Sequence, residues 1–196
     1  MTGMTAAELH LIGDPDVDHL LSTSPNALLA GMVLDQQVPM EKAFSGPSVI
    51  AERMGGTFDV AKIAAMDVDD FVAICSQRPA VHRFPGSMGK RLHDVCRALV
   101  EEYDGDASRL WQTAEDGREL KRRLAALPGL GDQKASIFVA LLGKQRGVTP
   151  PGWREAAGKY GDDGVFRSVA DIVDDDSLIK VRETKRAEKA KAKAAG

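Results

Sequence analysis

The nine residues LPGLGDQKA, positions 127–135, are the clearest candidates for chemistry in this chain. Two glycines flank Leu130, and residues that favour a helix follow directly. Glycine adopts backbone conformations that other residues resist, and we expect Gly129 and Gly131 to use them. A helix that begins at such a turn presents unpaired amides and the positive end of its dipole to an anion. The stretch therefore predicts a phosphate site, with Lys134 beside it; the alternative is a structural connection between helices with a glycine cap.

Basic residues are concentrated in the middle of the chain. Positions 77–160 carry 15 Lys and Arg against 10 Asp and Glu, whereas positions 1–76 carry 3 against 11. A local basic face matters more for binding a polyanion than the total net charge of −3. Arg83 lies in the loop that precedes a predicted helix. Lys90 and Arg91 follow that loop. They are candidates for phosphate contacts, and solvated surface charges are the alternative.

The hydrophobic pattern predicts helices and very few strands. Ser24 and Pro25 predict a helix start, and the helix is expected to continue to Pro39. The residues after Gly131 predict a second apolar, buried helix. The basic segment 181–196 has almost nothing to bury, so we expect it to be disordered and to add at most weak nonspecific affinity for DNA.

Composition excludes several classes of protein. The two cysteines are too few for a four-thiolate iron–sulfur cluster or zinc site, and the histidines show no metal-binding spacing, so we expect no metal and no cofactor. No stretch of about 18 apolar residues predicts a membrane span, and the first residues lack the pattern of a signal peptide. We therefore expect a cytoplasmic protein, associated with the nucleoid if it binds DNA, and a monomer.

Three motifs in order resemble the helix-hairpin-helix (HhH-GPD) DNA glycosylase superfamily, which includes endonuclease III and the alkyladenine glycosylases. They are MVLDQQV, RFPGSMGKRLHDVCRALVEEYDGD and LKRRLAALPGLGDQKASIFVALLG. The resemblance covers roughly residues 24–160. It implies an all-α, two-lobed fold and a partner of double-stranded DNA with a damaged base, which is flipped into the cleft between the lobes.

The resemblance also implies how the chain divides into lobes. A six-helix barrel is expected over 24–144, with the hairpin at 127–135. A second lobe is expected from 1–23 together with 145–180. Gly129, Leu130 and Gly131 would carry the phosphate contacts through the backbone, while the Leu130 side chain packs into the core.

By the same resemblance, Gln37 fills the gap that the flipped base leaves, because its amide can hydrogen-bond the orphaned partner base. A polar residue at a helix end is the alternative. The relatives that cleave the strand carry a Schiff-base lysine at the position of Gln133. Lys134 lies one residue later, about 100° further round the helix, so we expect it to be a phosphate contact or a solvated cation. The chain is therefore expected to have no lyase activity.

The carboxylate of the family is missing at its usual place. In the relatives this aspartate stabilises the cationic sugar that forms as the base leaves. At the corresponding position this chain has Pro151 or Gly152, neither of which carries a carboxylate. Glu155 is the nearest carboxylate, about one turn inside the next helix. Asp35 is a weak alternative candidate, since relatives usually carry a neutral residue there; a surface or hydrogen-bonded aspartate is the plainer interpretation. The catalytic residue is not assigned by alignment.

Two functions remain open. The first is a monofunctional DNA N-glycosylase of base excision repair acting on alkylated purines, whose positive charge weakens their own glycosidic bond. Trp153 would then offer an aromatic face to a cationic base, unless it only packs between the lobes. The second is a non-catalytic protein that recognises damaged or distorted duplex DNA. A structural helical protein whose hairpin binds another protein is a distant third.

Overall fold

The computed structural model describes residues 7–196, which form an all-α fold without a β-strand. The predicted fold class is thus confirmed. The α-helices are α1 (Pro15–Thr23), α2 (Pro25–Leu34), α3 (Met40–Arg53), α4 (Val60–Ala65), α5 (Val68–Ser76), α6 (Pro85–Tyr103), α7 (Arg109–Gln112), α8 (Gly117–Ala125), α9 (Asp132–Gln145), α10 (Trp153–Ala157) and α11 (Asp175–Ala194). Short 3₁₀ helices span Gly158–Gly161 and Val169–Asp171. No helix within residues 7–196 has the length and apolar character needed to cross a membrane.

Helix α2 begins where the sequence predicts and ends earlier. The Ser24 side chain accepts a hydrogen bond from the Ala27 amide, and Pro25 is the first helical residue. Every residue from Ala27 to Leu34 is buried. The helix ends at Leu34 because the next residues form a turn, in which Gln37 has a φ of 58°. The expected continuation to Pro39 is therefore wrong. The turn contains the polar motif DQQ, residues 35–37, and is called the DQQ turn below.

Helix α9 is the centre of the fold. Except for Ile137, its residues from Ala135 to Leu142 are buried, and they pack on α8 and α10. At its carboxyl end, the Lys144 ammonium lies 2.6 Å from the Asp171 carboxylate, and both side chains are nearly buried. Arg146 donates to the carbonyls of Ala7 and Ser22, at 2.8 and 2.9 Å. The end of α9 thus connects the amino-terminal segment to the residues that follow α10.

The carboxyl-terminal segment differs from the expectation of disorder. Helix α11 runs to Ala194 and begins with a capping box between Asp174 and Ser177. Leu178 and Val181 are buried, so the first turns are anchored in the core. The capped and anchored start nucleates the helix, and the Ala-, Lys- and Glu-rich residues beyond it have high helix propensity.

The division into two lobes stays a prediction, and residues 1–6 of the expected second lobe lie outside the described residues. Close packing joins the elements on either side of the expected boundary at 144. The Gly143 backbone is so close to Trp153 that an added Cβ would lie 2.4 Å from the indole ring. Helix α9 therefore contributes to both expected lobes.

Gly31→Ala tests the close approach of α2 to α3. The new Cβ would lie 2.5 Å from the fully buried Phe44 ring, so the ring or one of the two helices must shift. We expect a loss of about 1–3 kcal/mol in the free energy of unfolding, measured by urea denaturation. Gly86→Ala is the control, because nothing lies within 4 Å of its added Cβ, and it should be neutral or slightly stabilising. Equal midpoints for both variants would contradict the described packing.

Candidate active site

The hairpin glycines have different roles. Gly129 has a φ of 75°, and an added Cβ would lie 1.9 Å from Cδ of Arg91 on α6. Gly131 has a φ of −76°, which any residue can adopt, and open space surrounds its Cα. The expectation that both glycines need unusual backbone angles is thus corrected: Gly129 is required by conformation, and Gly131 leaves room for a ligand. The Leu130 side chain is buried, which leaves only its main chain available to a ligand.

The first turn of α9 has the features predicted for an anion site. Gly131 is the N-cap and supplies no side chain, so no side chain caps the amides of this 14-residue helix. The exposed Asp132 carboxylate lies 3.2 Å from Lys121 Nζ, which partly neutralises it. The helix dipole and the free amides favour a phosphate at this point.

Lys134 is directed into the protein. Its Nζ donates to the carbonyls of Val33 and Met32 at 2.9 and 3.2 Å, where α2 ends. The ammonium therefore caps the negative end of the α2 dipole. Burial lowers its pKa to about 8, and the nearby Asp35 carboxylate raises it. The expectation of a solvated cation is corrected, because the ammonium donates to two carbonyl groups of α2, whereas a phosphate contact by Lys134 stays a prediction.

Asp35 is the C-cap of α2, with its side chain 11% exposed. Its Oδ2 lies 3.7 Å from Nζ of Lys185 on α11. Burial raises the pKa of this carboxyl, while the ammonium groups of Lys185 and Lys134 lower it. The group is thus a largely desolvated carboxyl between two cations. Of the two plainer interpretations, an exposed surface aspartate does not fit this environment, whereas an aspartate held by a neighbouring side chain does, through its contact with Lys185.

His82 fixes the turn that follows Asp35. Its Nε2 donates to the Gln36 carbonyl at 2.9 Å, and its Nδ1 accepts from the Phe84 amide at 3.0 Å. Burial lowers the pKa of this imidazole, which favours the neutral form that can accept at Nδ1. The Gln36 amide group points inward to the sulfur of Met88 at 3.3 Å, whereas Gln37 is exposed. The neutral histidine therefore joins the DQQ turn to the loop before α6.

A cleft of about 1050 Å³ opens beside this turn. Its walls are the segment 37–41, the loop residues Arg83 and Phe84, and one face of α11. Phe84 is 42% exposed, which is unusual for so large an apolar side chain. The Arg83 guanidinium lies 5.4 Å from the centre of its ring. The cleft thus combines an amide, an aromatic ring and cations, and one of these cations, Lys185, lies 3.7 Å from Asp35.

Arg91 connects the hairpin to the DQQ turn. Its side chain covers Gly129, and its Nη1 lies 3.8 Å from the sulfur of Met88, which also contacts Gln36. Lys90 is exposed on the same helix and free to contact a phosphate. The structure therefore brings the hairpin, Arg91, Lys134, Asp35 and the DQQ turn together.

Other predicted residues lie elsewhere. Trp153 contacts Gly143 on α9. Gly143 lies nine residues after Lys134, which separates the two by about 13.5 Å along the helix axis. The Arg154 guanidinium lies 4.5 Å from the centre of the Trp153 ring. The expected base-stacking role of Trp153 is not supported by this position. Gln133, at the place of the Schiff-base lysine, donates to the Tyr160 hydroxyl at 2.9 Å.

Comparison with known proteins identifies the family. The family model described as HhH-GPD superfamily base excision DNA repair protein matches residues 30–194. The chain belongs to the HhH-GPD superfamily. The match extends through α11, beyond the three motifs that carry the resemblance. No curated protein and no solved structure is matched. Membership in the HhH-GPD superfamily assigns the chain to base excision DNA repair and implies that it binds DNA.

Sequence reasoning missed two groups in this HhH-GPD protein. Phe84 was overlooked because an aromatic residue before a Pro-Gly pair is most simply a loop residue that packs inward. The basic face of α11 was overlooked because the segment was expected to be disordered. The spacing of Arg182, Lys185, Arg186 and Lys189 would have indicated one face of a helix.

Lys134→Met tests the burial of the ammonium through the pH dependence of stability. An unfolded lysine has a pKa near 10.4, and the folded one has a pKa of about 8. Between these values the unfolded state binds more protons, so the wild-type free energy of unfolding should rise with pH relative to that of the variant. Urea denaturation of both proteins at several pH values between 8 and 10.4 measures this difference.

The variant retains the two cysteines, so their titration cancels in the comparison. A difference between the two proteins that stays constant over this range would mean that Lys134 is solvated.

Proposed function

We propose that the chain is a monofunctional DNA N-glycosylase that releases alkylated purines from damaged duplex DNA. The observation that carries this proposal is the Asp35 carboxyl, whose side chain is only 11% exposed and lies 3.7 Å from Nζ of Lys185, a residue that lines the cleft beside Gln37. A carboxylate in such a position can stabilise the cationic sugar that develops as the glycosidic bond breaks.

The two ammonium groups near Asp35 support this role. Burial is the largest effect and raises the pKa of the Asp35 carboxyl, while the ammonium groups of Lys185 and Lys134 limit that rise and so favour the ionised carboxylate that the reaction needs. Low solvent exposure strengthens the interaction between the carboxylate and a cationic sugar. Because Lys185 is the closer cation and is partly exposed, it can move away from Asp35 when a substrate enters.

Alkylated purines suit a site that lacks the aspartate of the family at its usual position and has Asp35 as its candidate carboxylate. Their ring is already cationic, so the base leaves with less acid assistance than a neutral base requires. Phe84 offers an exposed aromatic face in the same cleft, which attracts a cationic ring. Gln37 is exposed on the adjacent turn, where its amide can replace the flipped base opposite its partner.

The amine chemistry of the strand-cleaving relatives has no counterpart here. Gln133 has no amine nucleophile, and its side-chain amide donates a hydrogen bond to the Tyr160 hydroxyl. The Lys134 amine donates to two carbonyl groups at the end of α2. An attack on the sugar would require it to leave both acceptors. These contacts support a monofunctional enzyme.

A non-catalytic DNA-binding protein is the second candidate. It is favoured by the segment Pro150-Pro151-Gly152, which has no carboxylate where the aspartate of the family aligns. Under this alternative, Asp35 and Lys185 form a purely structural ion pair at the cleft. Base release separates the two functions.

Asp35→Asn should slow base release by about 100-fold or more under single-turnover conditions, because it removes the negative charge without changing shape. The substrates are duplexes with an alkylated purine, uracil, hypoxanthine or 8-oxoguanine, and we expect release of the alkylated purine. Glu155→Gln is the matched control and should keep the wild-type rate, since Glu155 is exposed on α10 away from the cleft. DNA affinity is measured in parallel for each protein.

Absence of release from every duplex, with tight binding retained, would favour the non-catalytic alternative. Equal rates for Asp35→Asn and the wild type would remove Asp35 from the mechanism. Gly131→Asp serves as the binding control, since the new carboxylate caps α9 and so preserves folding while repelling phosphate.

Borohydride trapping tests the lack of lyase activity. Reduction of a Schiff base would join the protein covalently to an abasic-site duplex. We expect no trapped complex at neutral pH, because the Lys134 amine is held by Met32 and Val33. A trapped complex that Lys134→Met abolishes would show that this lysine reaches the sugar.

A further inference from the structure

Four basic residues form a stripe along α11. Arg182, Lys185, Arg186 and Lys189 are spaced at i, i+3, i+4 and i+7, which places them on one face of the helix. All four line the cleft that contains Gln37. We refer to them as the α11 stripe.

The first half of the α11 stripe holds the helix against the site. Arg182 pairs with Glu41 on α3, and Lys185 lies 3.7 Å from Asp35. The buried side chains of Leu178 and Val181 anchor the preceding turn. The helix is therefore fixed in position, and the cations beyond these pairs project from a rigid support.

The second half of the α11 stripe has no such partners. Arg186 and Lys189 are exposed, and within residues 7–196 neither has a carboxylate at ion-pair distance. Arg83, which lines the same cleft from the loop before α6, is exposed and likewise unpaired within that range. Three unpaired cations therefore line one cleft, although the net charge of the chain is −3.

The dimensions of the stripe suit a nucleic-acid strand. Residues 182 and 189 are about 10.5 Å apart along the helix axis. Phosphates of one DNA strand are spaced about 3.4 Å apart along the duplex axis, so the stripe extends over about three of them. DNA is favoured over an acidic peptide as the ligand of this cleft, because the chain belongs to a superfamily of DNA repair proteins.

We propose that Arg186 and Lys189 of α11, together with Arg83, bind the sugar–phosphate backbone of the DNA strand that passes Gln37. This surface would be separate from the hairpin, so that the duplex is held at two places on either side of Asp35. The inference rests on the proposed function in one respect, namely that damaged DNA is the ligand of the cleft.

The test is the salt dependence of DNA binding by the full chain. The probe is a short duplex with a tetrahydrofuran abasic analogue, and fluorescence anisotropy gives the binding constant over a series of salt concentrations. The variant Arg186→Gln/Lys189→Gln should lower the magnitude of the slope of log K against log salt by about 1.8, since each lost phosphate contact contributes about 0.9. Arg83→Gln should lower it by about 0.9.

The matched control is Lys180→Gln/Lys191→Gln. Both lysines belong to α11 but lie on the face opposite to the stripe, and the change in net charge is the same. The control should keep the wild-type slope. Equal slopes for the stripe variant and the control would overturn the proposal, even if the wild type binds DNA and releases bases. Lack of any DNA binding by the wild type would overturn the proposed function as well.

A tethered probe gives the location independently. The native cysteines are both buried, so Lys189→Cys offers the accessible thiol for attachment of an iron chelate that generates hydroxyl radicals. We expect cleavage within a few nucleotides of the abasic analogue. The same chelate attached through Lys191→Cys should cut less and without a preferred position. Identical patterns from both attachment sites would contradict the proposed path of the strand.

Discussion

Burial of α9 is the constraint on which the rest of the structure depends. The middle of this helix has almost no contact with water, so the polar side chains near its ends must find partners on other elements. Lys134 donates hydrogen bonds to carbonyl groups at the end of α2, and Lys144 forms an ion pair with Asp171. Gln145 donates to carbonyls of the Val169–Ile172 segment. Each of these bonds fixes another element against α9, which places the hairpin, α2 and the final segment in one arrangement.

The contact between Lys134 and α2 also places a cation near Asp35, the carboxyl proposed for catalysis. One ammonium group caps the helix and lies close enough to Asp35 to influence its ionisation. Lys134 thus holds the end of α2, whereas the resemblance places the attacking lysine of the strand-cleaving relatives one position earlier. Gln133, one position earlier, faces Tyr160 instead of a sugar. A shift of one residue on a helix thus changes which surface a lysine reaches.

Helix α11 places the basic residues of the carboxyl-terminal segment in the wall of the cleft. Its Lys- and Ala-rich sequence alone cannot bury enough surface to be stable, which is the reason that disorder was expected. A capping box and two buried side chains anchor its first turns, and the pairs with Glu41 and Asp35 attach the next ones. The charged groups in the cleft therefore come from positions about 150 residues apart in the chain.

The sequence by itself determined the helical fold class, the hairpin, the start of α2 and membership in a DNA repair superfamily. These features depend on local signals, such as capping residues, glycines at a turn and apolar periodicity. Such signals involve residues close together in the chain and can therefore be recognised in the amino-acid sequence. Only the tertiary structure decided the orientation of Lys134, the burial of Asp35, the position of Trp153 and the order of α11. Each of these depends on which groups from distant segments become neighbours, and desolvation and ion pairing act only after the chain has brought those groups together.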